Sequence, residues 1–178
     1  MNGRTLIGVV VAAFVAFMWG FVFWAATPLP YNSWHKVDDE SAAQSLLAQT
    51  FPDSGIYGVP SPQNAPEDMV AKLDQGVWAM VNIDHTPAAP GDPAAMGLGF
   101  LHMLVTMLLL AVLLKHMHSN RLRNALLAGL MAAVFSNFGD VVWWNYPIGW
   151  KTAIFVYDMG FWLIGGLILN YFMRESAS

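Results

Sequence analysis

The chain has no cysteine. That excludes disulfide bonds, thiolate metal sites and thiol oxidoreductase chemistry. Charge is nearly as scarce. Asp, Glu, Lys and Arg make up 11% of the 178 residues, against about 25% in a soluble domain. The eight Lys and Arg residues are scattered in small groups, so no basic patch able to follow a nucleic-acid backbone is present, and no nucleic-acid partner is expected. There is no internal repeat either. Four spans without inverted repeats offer too small a pathway for transport unless the protein oligomerises.

What the chain does have is apolar length. Hydrophobic residues make up 56% of it, in blocks that approach the ~20 residues a helix needs to cross a bilayer. The first block is residues 5–27, TLIGVVVAAFVAFMWGFVFWAAT. It is longer than the apolar core of a signal peptide and lacks a small-x-small cleavage site, so an uncleaved helix is expected. Further spans are expected at 95–116, 122–146 and 150–173. The fold class is therefore an all-α integral membrane protein. Four transmembrane helices form a bundle in the lipid bilayer, with a small mixed α/β extramembrane domain inserted between helices 1 and 2.

That inserted domain is residues 28–93. It holds nine of the ten prolines, and nine acidic residues against Lys36 and Lys72. Asp38 or Asp39 is placed to cap a short helix through ESAAQSLLAQ. GIYGVP and VWAMVNI read as short strands bounded by Gly, Pro and Asp. APEDMVAKLDQG reads as a second short helix stopped by Gly76.

The basic residues set an orientation through the positive-inside rule. Arg4, Lys115, Arg121, Arg123 and Arg174 fall on one side. Lys36, Lys72 and Lys151 fall on the other, spread over a longer stretch. The expected arrangement is a bacterial inner-membrane protein with both termini in the cytoplasm and the acidic domain outside, in the periplasm or cell exterior.

Two patterns mark helix faces. Gly8, Ala12, Ala16 and Gly20 recur every four residues, a ridge along which another helix can approach closely. Trp19 and Trp24 are expected at the membrane interface. The second pattern is polar. His102 shares a face with Ala95, Gly99 and Thr106. Ser136, Asn137 and Asp140 share a face with Trp143 and Trp144. Asp158 shares a face with Lys151, Phe155, Trp162 and Gly165. Counting 1.5 Å per residue from the outer helix ends puts His102 about 10 Å deep, Asp140 about 9 Å and Asp158 about 12 Å. An isolated charge in lipid costs about 3 kcal/mol. The residues His102, Ser136, Asn137, Asp140 and Asp158 are therefore expected to form one intramembrane cluster. In it Asp140 points inward to Asp158 or His102, or accepts hydrogen bonds from Trp143, Trp144 or His102.

Cofactors are not clearly implied. His102, Asp140 and Asp158 could together make a three-ligand metal site, and His35 with His85 could make one in the acidic domain, but neither pattern is specific. No second buried histidine matches His102 for a bis-histidine haem. His116 and His118 fall in the basic link.

Two carboxylates near a membrane surface also suit acid–base catalysis, because like charges sharing a site drive their pKa values apart. SNFGD around Asp140 resembles the Gly-Asn-x-x-Asp element of lipoprotein signal peptidases, and VYDMG around Asp158 is loosely similar to their second aspartate motif. Those enzymes are also four-span proteins of this size. The resemblance implies Asp140 and Asp158 as a catalytic pair. It departs from the family pattern at Val141 and Phe155, and the outer segment has no Asn-x-Gly-Ala-Ala-Phe element. The expected function is accordingly non-enzymatic: an accessory or structural subunit, or a binding protein, of a larger membrane assembly, with a membrane-protein partner or copies of itself. A membrane-embedded aspartic hydrolase using Asp140 and Asp158 is the alternative.

Overall fold

The computed structural model describes residues 1–74, 76–89, 91–117 and 119–174. His118 of the basic link lies outside them. The chain forms two compact units, one of Met1–Trp34 with Gly91–Ser178 and one of His35–Pro90.

The larger unit holds four helices long and apolar enough to cross a membrane: Gly3–Ala26, Pro93–Lys115, Arg121–Trp144 and Ile148–Phe172. The first, α1, starts at Asn2, whose side chain accepts hydrogen bonds from the Thr5 amide at 2.9 Å and the Thr5 hydroxyl at 2.8 Å. The smaller unit supplies α2 (Glu40–Thr50), β1 (Gly55–Val59), α3 (Pro66–Leu73) and β2 (Ala79–Ile83). The second long helix, α4 (Pro93–Lys115), starts at Asp92, which accepts from the Ala95 amide at 2.8 Å, with Pro93 at the first helical position. Such caps satisfy amides that have no partner within the helix.

The third long helix is not uniform. It runs as α5 (Arg121–Ala133), a π-helical turn (Val134–Phe138) and α6 (Gly139–Trp144). It ends at Asn145, whose φ of 54° is left-handed. Pro147 comes next and sets up the start of α7 (Ile148–Phe172).

The long helices are arranged as a row, not a closed square. α1 packs along both α4 and α7, and α7 packs along both α1 and α5, whereas α4 scarcely approaches α5 and reaches α7 through the side chains of Met107 and Leu110, which close on Gly165. The row is thus α4, α1, α7, α5. The small-residue ridge explains the central place of α1. Gly8, Ala12, Ala16 and Gly20 are all buried. A Cβ on Gly8 would lie 2.6 Å from Phe172 Cβ, and one on Gly20 would lie 3.2 Å from the Tyr157 hydroxyl. At contacts this close only small residues keep the backbones together. Trp19 is an anchor between helices. Its Nε1 donates to the Tyr157 carbonyl at 3.0 Å, and its ring occupies the space that a Cβ on Gly160 would need. The core is filled by Ala13, Met107, Leu110, Leu114, Phe161 and Leu169, among others.

The smaller unit is built as its sequence suggests. Asp39 caps α2 by accepting from the Ala42 amide at 2.9 Å. β1 and β2 pair antiparallel, with Gly55 opposite Ile83 and Tyr57 opposite Val81. Neither α2 nor α3 has a buried residue. His85 is engaged twice: its amide donates to Ser54 Oγ at 3.0 Å, and its Nε2 lies 2.8 Å from the Phe51 carbonyl. The ring is thereby held against the backbone.

Candidate functional site: a polar cleft among the long helices

The scarcity of contact between α4 and α5 leaves a cleft of about 230 Å³. α4 contributes His102, Met103 and Thr106 as one wall. The third long helix contributes Ala132, Ala133 and Ser136 as the other. Tyr157, Asp158, Phe161 and Trp162 of α7 make the floor. Three members of the expected polar cluster, His102, Ser136 and Asp158, therefore meet in one cavity.

Asn137 stands behind that cavity and is its most constrained polar residue, only 3% exposed. Its Nδ2 donates to Asp158 Oδ2 at 2.7 Å and to the Ala133 carbonyl at 3.0 Å. Both amide hydrogens are thus used. Ser136 donates to the Ala132 carbonyl at 3.0 Å. These side-chain bonds to carbonyls one turn back sit within the π turn, where the i→i−4 ladder is broken, and so accompany the local widening of the helix. A half-buried carboxylate gains from hydrogen-bond partners, and the widened turn places Asn137 to provide one.

Asp140 lies elsewhere. Its Oδ2 pairs with Lys151 Nζ at 2.5 Å. Lys151 also stands over the Tyr146 ring, 4.6 Å from its centroid. Asp140 opens onto a separate hollow on the surface of its own helix, beside Phe135 and Trp143. The structure thus differs from the expected inward orientation. Asp140 meets neither His102 nor Asp158 in the cleft, and its hydrogen-bond partner is Lys151 in place of Trp143, Trp144 or His102. Among the described residues no three His, Asp or Glu side chains are close enough to hold a metal ion, so His102, Asp140 and Asp158 do not form the three-ligand site considered from sequence.

Lys151 was the partner that helix-face reasoning missed, although a signal for it exists. Two antiparallel helices joined by a tight link bring together residues equally far from that link. Asp140 and Lys151 are so placed about residues 145–146. So are Gly129, where an added Cβ would fall within the Trp162 ring, and Gly166, which sits against Ala125.

The chemistry on offer in the cleft is hydrogen bonding. Thr106 donates to the His102 carbonyl at 2.9 Å, as Ser136 does to Ala132. Both hydroxyls donate to backbone, which leaves their oxygens as acceptors. His102 is exposed on its helix and presents one ring nitrogen as donor and one as acceptor when neutral. Asp158 adds a carboxyl group on the floor. No protein family is matched by the chain, and no curated protein or solved structure is significantly similar to it, so its function is read from its own residues.

Proposed function

We propose that the protein is a small integral membrane accessory subunit, and that the cleft between α4 and the third long helix receives a transmembrane helix of its partner. The observation that carries this reading is an open polar cleft between α4 and the third long helix, which scarcely touch each other. Acyl chains cannot satisfy His102 or Asp158. A charged group facing lipid at depth costs about 3 kcal/mol. A helix bearing a hydrogen-bonding side chain meets both groups and fills the remaining space. Beside the seam, Phe135 is 86% exposed and Trp143 79% exposed, aromatic area suited to a protein contact. In the proposed orientation the basic link and both termini are cytoplasmic and residues 35–90 are outside a bacterial plasma membrane.

A hydrolase reading is weaker on the same geometry. Asp140 and Asp158 have separate partners, Lys151 and Asn137, and open onto separate cavities.

Site-specific photocrosslinking in native membranes tests the proposal. A crosslinking residue at Thr106 or Ser136 should give a discrete protein adduct, and one at Phe14, which is 56% exposed on α1, should not. Asp158→Leu should abolish the adduct. An adduct of twice the chain's mass would identify a second copy as the partner. Lipid adducts alone at both cleft positions would overturn the reading.

A further inference from the structure

A second concavity lies towards the opposite, basic end of the long helices. It is a groove of about 500 Å³ along the third long helix and α7. Its walls are leucine: Leu122, Leu126, Leu127 and Leu130 of α5, completed by Met159 of α7. Its mouth is different in kind. Asn120, Arg121, Arg123 and Asn170 line it. An apolar trough ending in two guanidinium groups and two amides is complementary to an amphiphile with an anionic head.

Details of the mouth point the same way. Arg121 donates from one terminal nitrogen to the Met173 carbonyl at 3.1 Å, at the end of α7. Its Nε is buried and makes no hydrogen bond among the described residues. Arg123 is exposed. Asn120 is left-handed, with φ 56°, and its side chain does not cap α5. The first-turn amides of a 13-residue helix therefore begin at this mouth without a side-chain acceptor, and they favour an anion. The surroundings reinforce the sign. Arg4, whose guanidinium donates to the Arg174 and Tyr171 carbonyls, and Lys115 are also at this end. Glu175, outside the described residues, is the acidic residue nearest to it in sequence.

We propose that this groove is a binding site for an anionic phospholipid. The phosphate is held by Arg121 and Arg123 at the mouth, and an acyl chain lies along Leu126, Leu127 and Leu130. Basic pockets between membrane helices recognise lipid headgroups through this combination of charge and apolar wall. The site is distinct from the polar cleft and does not depend on a protein partner. It is therefore tested on the purified chain alone, and its failure would leave the accessory-subunit reading untouched.

The full chain in an uncharged detergent is titrated with phosphatidylglycerol or phosphatidylcholine. Bound lipid is followed by native mass spectrometry and stability by thermal melting. Phosphatidylglycerol should bind and raise the melting temperature, and phosphatidylcholine should do neither. Arg123→Gln should weaken phosphatidylglycerol binding by about fivefold, the worth of one basic contact near a membrane surface, while the lipid-free melting temperature stays unchanged. Leu127→Trp, which fills the trough and keeps both arginines, should weaken it as well. Equal binding of the two lipids, or indifference to both substitutions, would overturn the proposal. So would inorganic phosphate reproducing the whole stabilisation, since the acyl trough would then contribute nothing.

Discussion

Asn137 joins two helices through one amide nitrogen, and its replacement is the most direct residue-scale test of the cleft. Asn137→Leu keeps the volume but leaves Asp158 Oδ2 and the Ala133 carbonyl without their donor. An unsatisfied buried polar group costs about 1–3 kcal/mol, so the melting temperature in mild detergent should fall. Asp158→Leu in the same background should cost less than it does alone, because the two groups act as a pair. Additive effects in that double-mutant cycle would show that the hydrogen bond contributes nothing. The sequence marked Asn137 as a polar residue out of place in an apolar run. It could not show that Asn137 serves Asp158, since that depends on which residue of α7 lies opposite. Asp140, marked by the same reasoning, turned to Lys151, which the tight link places opposite it: a cation across the hairpin is a better partner than a second carboxylate.

At the scale of the element, the π turn at Val134–Phe138 is the feature that local pattern could not reveal. Periodicity arguments assume 3.6 residues per turn throughout, and a single wide turn shifts every later residue to a new face. Ser136, Asn137 and Asp140 were therefore assigned one common face; Asn137 and Asp140 both turn to α7, where they meet Asp158 and Lys151, whereas Ser136 lines the cleft. Deleting Phe135, which is 86% exposed, removes the extra residue with little loss of packing and should restore a regular helix. Five residues of π turn cover about the same rotation as four of α-helix, so α5 and α6 should keep their present orientation. The Asn137–Asp158 and Asp140–Lys151 pairs should then both keep their thermodynamic coupling, measured by double-mutant cycles on the deletion background. Loss of both couplings would mean that the wide turn does not merely absorb an extra residue. The start of α2, by contrast, was legible. Asp39 is a short polar residue just before a helix-forming run, and it accepts an amide hydrogen bond.

For the whole molecule, the segregation of charge predicts a topology that can be measured independently of any partner. An alkaline phosphatase reporter, active only outside the cytoplasm, should be active when fused after residue 60. A reporter that fluoresces only in the cytoplasm should be dark there and bright after residue 120. The reverse pattern would invert the proposed orientation, and with it the leaflet that supplies the lipid of the basic groove. The sequence by itself determined, at this scale, the features that depend on composition and local order. Four apolar runs of sufficient length specified four long helices. Proline, glycine and acidic residues confined the polar unit to the stretch between the first two, and the four-residue repeat of small side chains specified a helix face for close packing. Only the tertiary structure decided neighbour order. The row α4, α1, α7, α5 arises from how Gly8 and Gly20 admit Phe172 and Tyr157, and how Gly129 admits Trp162. The α1 contacts among these join residues far apart in the chain and have no local signature. Because the row leaves α4 and α5 scarcely in contact, His102, Ser136 and Asp158 line an open cleft in place of a sealed core, and the polar residues that sequence could only mark become a site.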